Sequence, residues 1–118
     1  VLDVREYVDA DGRSPFTKWL RALNVQAAAK VATALDRIAD GNLSDAKGVG
    51  GGVLEYRIDF GPDYRIYFGR DGGQLVILLA GGAKKRQQLD IRRAQVNWED
   101  YRKRKTQGEK DGTDQRLS

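Results

Sequence analysis

Between Val53 and Arg70 the residues alternate in a way that admits one local structure. Leu54, Tyr56, Ile58 and Phe60 interleave with Val53, Glu55, Arg57 and Asp59. After Gly61-Pro62-Asp63 the pattern resumes, with Tyr64, Ile66 and Phe68 against Arg65, Tyr67 and Gly69. A period of two marks strands with one buried face, and Gly-Pro-Asp reads as a three-residue hairpin loop. Burial then fixes parity. The aromatic and branched residues share one face, so Glu55, Arg57, Asp59, Arg65 and Tyr67 share the other. Pairing Phe60 with Tyr64 across the loop sets Arg57 beside Tyr67 and Asp59 beside Arg65. That polar face is expected to be free of helices, and it admits two readings. Guanidiniums bind phosphate bidentately and a ring can stack on a base; alternatively, cross-strand ion pairs keep an open sheet face soluble. The first reading requires Arg57, Arg65 and the lysines after the next strand to converge on one cleft.

The rest of the chain supplies the layers around this hairpin. Leu2 to Val8 alternates weakly and reads as a strand. Ser14 is placed to cap a helix with Pro15 at its first position, followed by Phe16, Trp19, Leu20 and Leu23 at helical spacing. Asn24 caps a second helix whose apolar residues are Ala28, Val31, Ala32, Leu35, Ile38 and Ala39, and Gly41 can take the left-handed conformation that ends it. Residues 41–52 read as a Gly-rich mobile connection. It lacks the Gly-Lys-Ser/Thr of a phosphate-binding loop, and Lys47 is either a reaching cation or an ordinary exposed lysine. After Asp71-Gly72-Gly73, Leu75 to Ala80 is apolar on both faces and calls for cover on both sides. A C-terminal helix through Ile91, Ala94, Trp98 and Tyr101 can supply the second cover; a partner is the alternative. The expected architecture is α+β: an N-terminal strand, a two-helix hairpin packed on a twisted antiparallel sheet of about four strands, and a C-terminal helix. Residues 1–104 form the single domain, and residues 105–118 are a polar tail expected to be disordered.

Composition narrows the chemistry. The 118 residues include no cysteine and no histidine, which excludes disulfides, thiolate nucleophiles and Cys-ligated zinc. Any proton transfer must use Asp, Glu, Lys, Tyr or Arg. Residues 1–83 hold ten basic and eleven acidic side chains, whereas residues 84–118 hold eleven and six. A basic segment beside a neutral body suits RNA, DNA or anionic lipid, or is simply a solvated helix face. Its sharpest part is Gly81-Gly82-Ala83-Lys84-Lys85-Arg86: glycines that permit close approach, then three cations at a helix start, where the macrodipole opposes them. The longest apolar run is far short of the ~20 residues of a membrane helix, and no secretory leader is read at the start, so a cytoplasmic location is expected.

In this order and with these residues the sequence resembles the RelE/ParE superfamily of toxins from type II toxin–antitoxin modules, and most of all its HigB-like branch of addiction-module killer proteins. The resemblance runs from about Phe16 to Ala94. It rests on Lys18-Trp19-Leu20, Gly41-Asn42 with Asp45-Ala46-Lys47, Leu54-Glu55-Tyr56-Arg57-Ile58, Gly61-Pro62-Asp63-Tyr64-Arg65-Ile66-Tyr67-Phe68 and Leu78-Leu79-Ala80-Gly81-Gly82-Ala83-Lys84. Gln87, Asp90, Ile91 and Ala94 complete the pattern.

The resemblance implies a metal-independent endoribonuclease that cuts mRNA on the ribosome with the ribose 2′-oxygen as nucleophile, needs no cofactor, and is neutralised by a small helix-turn-helix antitoxin. Carried over, Arg57, Arg65 and Lys84 form the catalytic set. The arginines hold the scissile phosphate, and Lys84, or else Lys47, assists proton transfer. Lys47, Tyr67, Lys85 and Arg86 are the RNA-binding residues, with Tyr67 stacking on a base. ParE-like relatives on the same fold inhibit DNA gyrase instead, and a catalytically inactive binding relative is a third possibility. The chain departs from the family pattern at Ala83, Lys85, Arg86 and Gln88, which makes the rim more basic. Tyr101 reads as a helix residue rather than a C-terminal catalytic tyrosine.

Overall fold

The computed structural model describes the backbone of residues 1–117 and the side chains of residues 1–108. Strand β1 (Asp3–Glu6) leads to helices α1 (Pro15–Arg21) and α2 (Val25–Ala39). Both helices start where local chemistry dictates. The Ser14 side chain accepts from the Thr17 amide, and the Asn24 side chain accepts from the Ala27 amide. Each cap contributes about 1 kcal/mol. Gly41 ends α2 at φ +81°. Val31 and Ile38 are buried as expected, but the stripe is rotated by about one position: Ala27 and Ala34 are buried while Ala32 is exposed.

Strands β2 (Ala46–Gly50), β3 (Val53–Ile58), β4 (Tyr64–Asp71) and β5 (Leu75–Ala83) follow, then a 3₁₀ turn (Lys84–Arg86) and helix α3 (Gln87–Leu117). The sheet order is β1-β5-β4-β3-β2, antiparallel except that β1 runs parallel to β5. It has five strands rather than about four. The extra one, β2, comes from the stretch read as a mobile connection; pairing with β3 holds Ala46, Lys47 and Gly48 opposite Tyr56, Glu55 and Leu54. The residues of α3 run without a break across the tail boundary drawn at 104, and side chains from 109 onward lie outside the described residues.

Two cores flank the sheet. Phe16, Val31, Ala34 and Ile38 from α1 and α2 meet Tyr56, Ile58, Ile66, Phe68, Val76 and Leu78 on one face. On the other, Ala94 and Trp98 of α3 meet Val53, Tyr67, Ile77, Leu79 and Ala80. The parity inferred for the hairpin holds, and α3 covers the second apolar row of β5. The same helix also covers part of the polar hairpin face, which is therefore not helix-free. Trp98 lies so close over Gly69 that a Cβ there would meet its ring carbons at 2.5 Å. Tyr7 donates to Asp100 and Tyr101 donates to Asp71, each at 2.6 Å, which pins the middle of α3 to β1 and β4.

A bulge in β5 sets what lies above the site. Tyr67 pairs with Ala80, but Phe68 pairs with Leu78, leaving Leu79 extra. Beyond it the alternation is rephased by one residue. Gly81 consequently faces Trp19 of α1, and Gly82 faces Asp90 of α3.

Candidate functional site

The register of the hairpin differs from the one expected. Ile58, not Phe60, pairs with Tyr64, so five residues rather than three form the connection. Asp63 explains the longer loop: its amide donates to the Phe60 carbonyl and its backbone is left-handed at φ 56°, which shapes the turn before β4 begins. A shift of two keeps every residue on its face but changes each neighbour. Arg57 stands directly opposite Arg65, and Glu55 stands opposite Tyr67. Asp59 lies outside the strand pairing, so the expected Asp59–Arg65 and Arg57–Tyr67 neighbours are not formed. Across β4, Arg65 lies opposite Gly82.

Two cross-strand rows result on the α3 side: Lys47–Glu55–Tyr67–Ala80 and Arg57–Arg65–Gly82. The two arginines differ sharply in environment. Arg65 is buried, 3.8 Å from the buried Glu55 carboxylate, and its Nη1 donates to the Asp63 carbonyl at 2.6 Å. Arg57 is more than half exposed and only loosely paired, 3.9 Å from Asp63 Oδ2. Each guanidinium thus has its own carboxylate, yet both meet the same short loop. The Lys84 amide donates to the Pro62 and Asp63 carbonyls of that loop. Asp63 therefore ties Arg57, Arg65 and the start of the cationic turn into one corner. Lys84, Lys85 and Arg86 are all exposed there, and the turn has no side-chain cap.

Glu55, Gln87 and Asp90 organise the corner from beneath. Gln87 Nε2 donates to both Glu55 oxygens, at 3.0 and 3.3 Å, bringing the first residue of α3 onto β3. Lys47, exposed on β2, reaches within 3.7 Å of the same carboxylate. The Asp90 carboxyl packs against Gly82, and burial raises its pKa despite the nearby Arg86 and Arg93 charges. Tyr67 is fully buried, and burial first, then the Glu55 charge, holds its pKa far above the usual phenol value. Among the described residues, Arg65 Nε and the Tyr67 hydroxyl are buried polar atoms with no hydrogen-bond partner. Arg65 Nε nonetheless lies 3.8 Å from Glu55 Oε1, so its charge is compensated although its hydrogen bond is not made.

Of the residues singled out from the sequence, Arg57, Arg65 and the Lys84 backbone come together around Asp63. Lys47 joins through Glu55, and Lys85 and Arg86 line the exposed rim. Tyr67 does not serve as a stacking ring: with α3 above it, neither face of the phenol is open to a base. In the sequence Asp63 reads only as a loop residue, and Gln87 and Asp90 only as parts of the family pattern; none is given a place at the site, where Asp63 is the joint of the corner and the other two support it. The signal for Asp63 was its place after Gly-Pro, where an Asp tolerates a left-handed backbone; the other two are brought in only by the packing of α3. No group of three or more acidic residues able to hold a metal occurs among the described residues, and no helix among them is long and apolar enough to cross a membrane.

The description "Phage derived protein Gp49-like" matches residues 18–99, which contain the whole of this corner. The chain belongs to the Gp49-like family. That family is associated with toxin–antitoxin modules. The chain is also 44% identical over 82 residues to an uncharacterized protein of Haemophilus influenzae, an alignment spanning 69% of this chain and 83% of that protein.

Proposed function

We propose that this Gp49-like chain is a type II toxin of the RelE/ParE superfamily, HigB-like, that inhibits translation by cleaving mRNA on the ribosome. One observation carries the reading: an exposed Arg57 and a buried Arg65 are direct cross-strand neighbours beside the exposed cationic turn. Like charges placed opposite each other destabilise a sheet, and a phosphate held between them reverses the sign of that interaction. Arg65, fixed by Glu55 and Asp63, supplies a preorganised guanidinium. Arg57 closes on the phosphate from solvent by leaving its loose contact with Asp63. Together they stabilise the charge that builds on the phosphate oxygens as the ribose 2′-oxygen attacks and the bond to the 5′-oxygen of the next nucleotide breaks, leaving a 2′,3′-cyclic phosphate and a 5′-hydroxyl. Lys84 assists proton transfer at the rim, and Lys47, Lys85 and Arg86 attract the RNA backbone. The neutralising partner is a helix-turn-helix antitoxin. Because α3 already covers the apolar row of β5, that partner binds over the cationic corner.

Induction in growing bacteria tests this. Expected are growth arrest and loss of protein synthesis with cut transcripts. Arg57→Ala and Lys84→Ala, both at exposed positions, should keep the native circular dichroism spectrum. Arg57→Ala should lower cleavage by about 10²–10³-fold, the usual loss for one transition-state charge contact. Arg65→Ala is a poor probe, because it strands the buried Glu55. DNA damage with intact messages would show a gyrase inhibitor instead, and harmless expression of the wild type a binding relative.

A further inference from the structure

A second cationic surface adjoins the corner. A groove of about 490 Å³ runs between α2 and the end of β3, lined by Lys30 and Arg37 on the helix and by Arg57 and Phe60 on the strand side. Lys30 and Arg37 are seven residues apart on α2, so they project from one helix face about two turns apart. Both are exposed, and neither has an ion-pair partner among the described residues. The Lys30 ammonium sits 5.4 Å from the centre of the half-buried Phe60 ring. Asp45 and Asp59 also line the groove, so cations exceed carboxylates there by one.

The geometry points to a subsite for single-stranded RNA in this groove, continuous with the cleavage corner through Arg57. Unpaired cations along a helix face, with a ring at one end, form the combination that tracks a phosphodiester backbone while a base stacks. Phe60 takes the stacking role that the covered Tyr67 cannot. A strand whose scissile phosphate lies at Arg57 and Arg65 would pass around the C-terminal end of β3, place the next base on Phe60, and set the following phosphates on Lys30 and Arg37. Each nucleotide carries both a phosphate for the cations and a base for the ring, which favours RNA over a protein segment. This inference rests on the nuclease reading above.

The test uses the full chain, a fluorescein-labelled 12-nucleotide single-stranded RNA followed by anisotropy, and message cleavage on translating ribosomes. Lys30→Ala/Arg37→Ala should weaken RNA binding at least tenfold at low salt. It should also reduce the slope of log affinity against log salt by about 1.4, the loss of two phosphate contacts on a single strand. Phe60→Leu, which keeps an apolar side chain, should weaken binding at least about fivefold with the slope unchanged. If messages are cut but the wild type fails to bind the RNA, or the double variant binds and titrates as the wild type does, the groove is not an RNA subsite. The same conclusion follows if polyglutamate of equal charge binds as tightly and loses as much in the double variant. If messages stay intact with the wild type, the nuclease reading itself fails, whatever the anisotropy shows.

Discussion

Replacing Glu55 should damage this protein far more than an ordinary surface carboxylate would. Its side chain is 1% exposed and lies 3.8 Å from a guanidinium that is 6% exposed. At an effective dielectric near 20, that separation corresponds to about 4 kcal/mol of attraction. Removing one partner from such a pair leaves the other charged and dry, at a cost of about 3–5 kcal/mol. For a domain with a total stability of roughly 5–15 kcal/mol, this is a large fraction. Glu55→Gln keeps the shape and one carbonyl oxygen for Gln87, so it should still fold, with stability lowered by about 3 kcal/mol. Exchanging both members for methionine should cost clearly less than the two single changes added together, because no lone charge remains buried. Urea unfolding of the two single variants and the double gives the coupling directly. A Glu55→Gln loss within about 0.5 kcal/mol, the range of surface substitutions, or strictly additive changes would refute the buried pair as the anchor of Arg65.

Two further outcomes follow from the α3 interface. Gly69→Ala should lower stability by about 1–3 kcal/mol as overpacking against Trp98, whereas Gly73→Ala, with nothing within 4 Å of its Cβ position, should leave the thermal midpoint almost unmoved; equal effects would refute the close contact. Because burial raises the Asp90 pKa, its folded form favours the neutral acid. That contribution is fully present below the unfolded carboxylate value of about 3.9 and is lost as pH rises through the raised folded value. Asp90→Asn should therefore gain stability over the wild type as pH rises from about 4, and a pH-independent difference between the two melting curves would refute it.

What the sequence disclosed was mostly what depends on near neighbours. The Ser14 and Asn24 caps, the left-handed Gly41 and the two faces of the hairpin are each set within a few residues. The hairpin register was not legible, because loop length turns on one backbone torsion at Asp63 rather than on the apolar pattern. Strand β2 was missed because Lys47-Gly48-Val49-Gly50 has almost no apolar alternation, and only its partner makes it extended. The arginines and Lys84 were found as candidates from charge and spacing. Their supports were not, since Gln87 lies 32 residues from Glu55 and only the descent of α3 onto the sheet joins them. That same descent buried Tyr67, whose alternation with Arg65 had suggested an open ring.

The extra residue at Leu79 works like a half-twist in a ribbon. Every position downstream is delivered to the side opposite the one simple counting assigns. Were Leu79 drawn into regular pairing opposite Tyr67, Gly81 would fall opposite Arg65 beneath α3, Gly82 would pass to the Trp19 layer, and the cations that follow would leave Arg65 for the far surface, whereas a strand lacking Leu79 would pair straight through and keep both glycines where they are. In this family member, the bulge that sets Leu79 aside thus decides as much about where positive charge emerges as the identity of the lysines themselves.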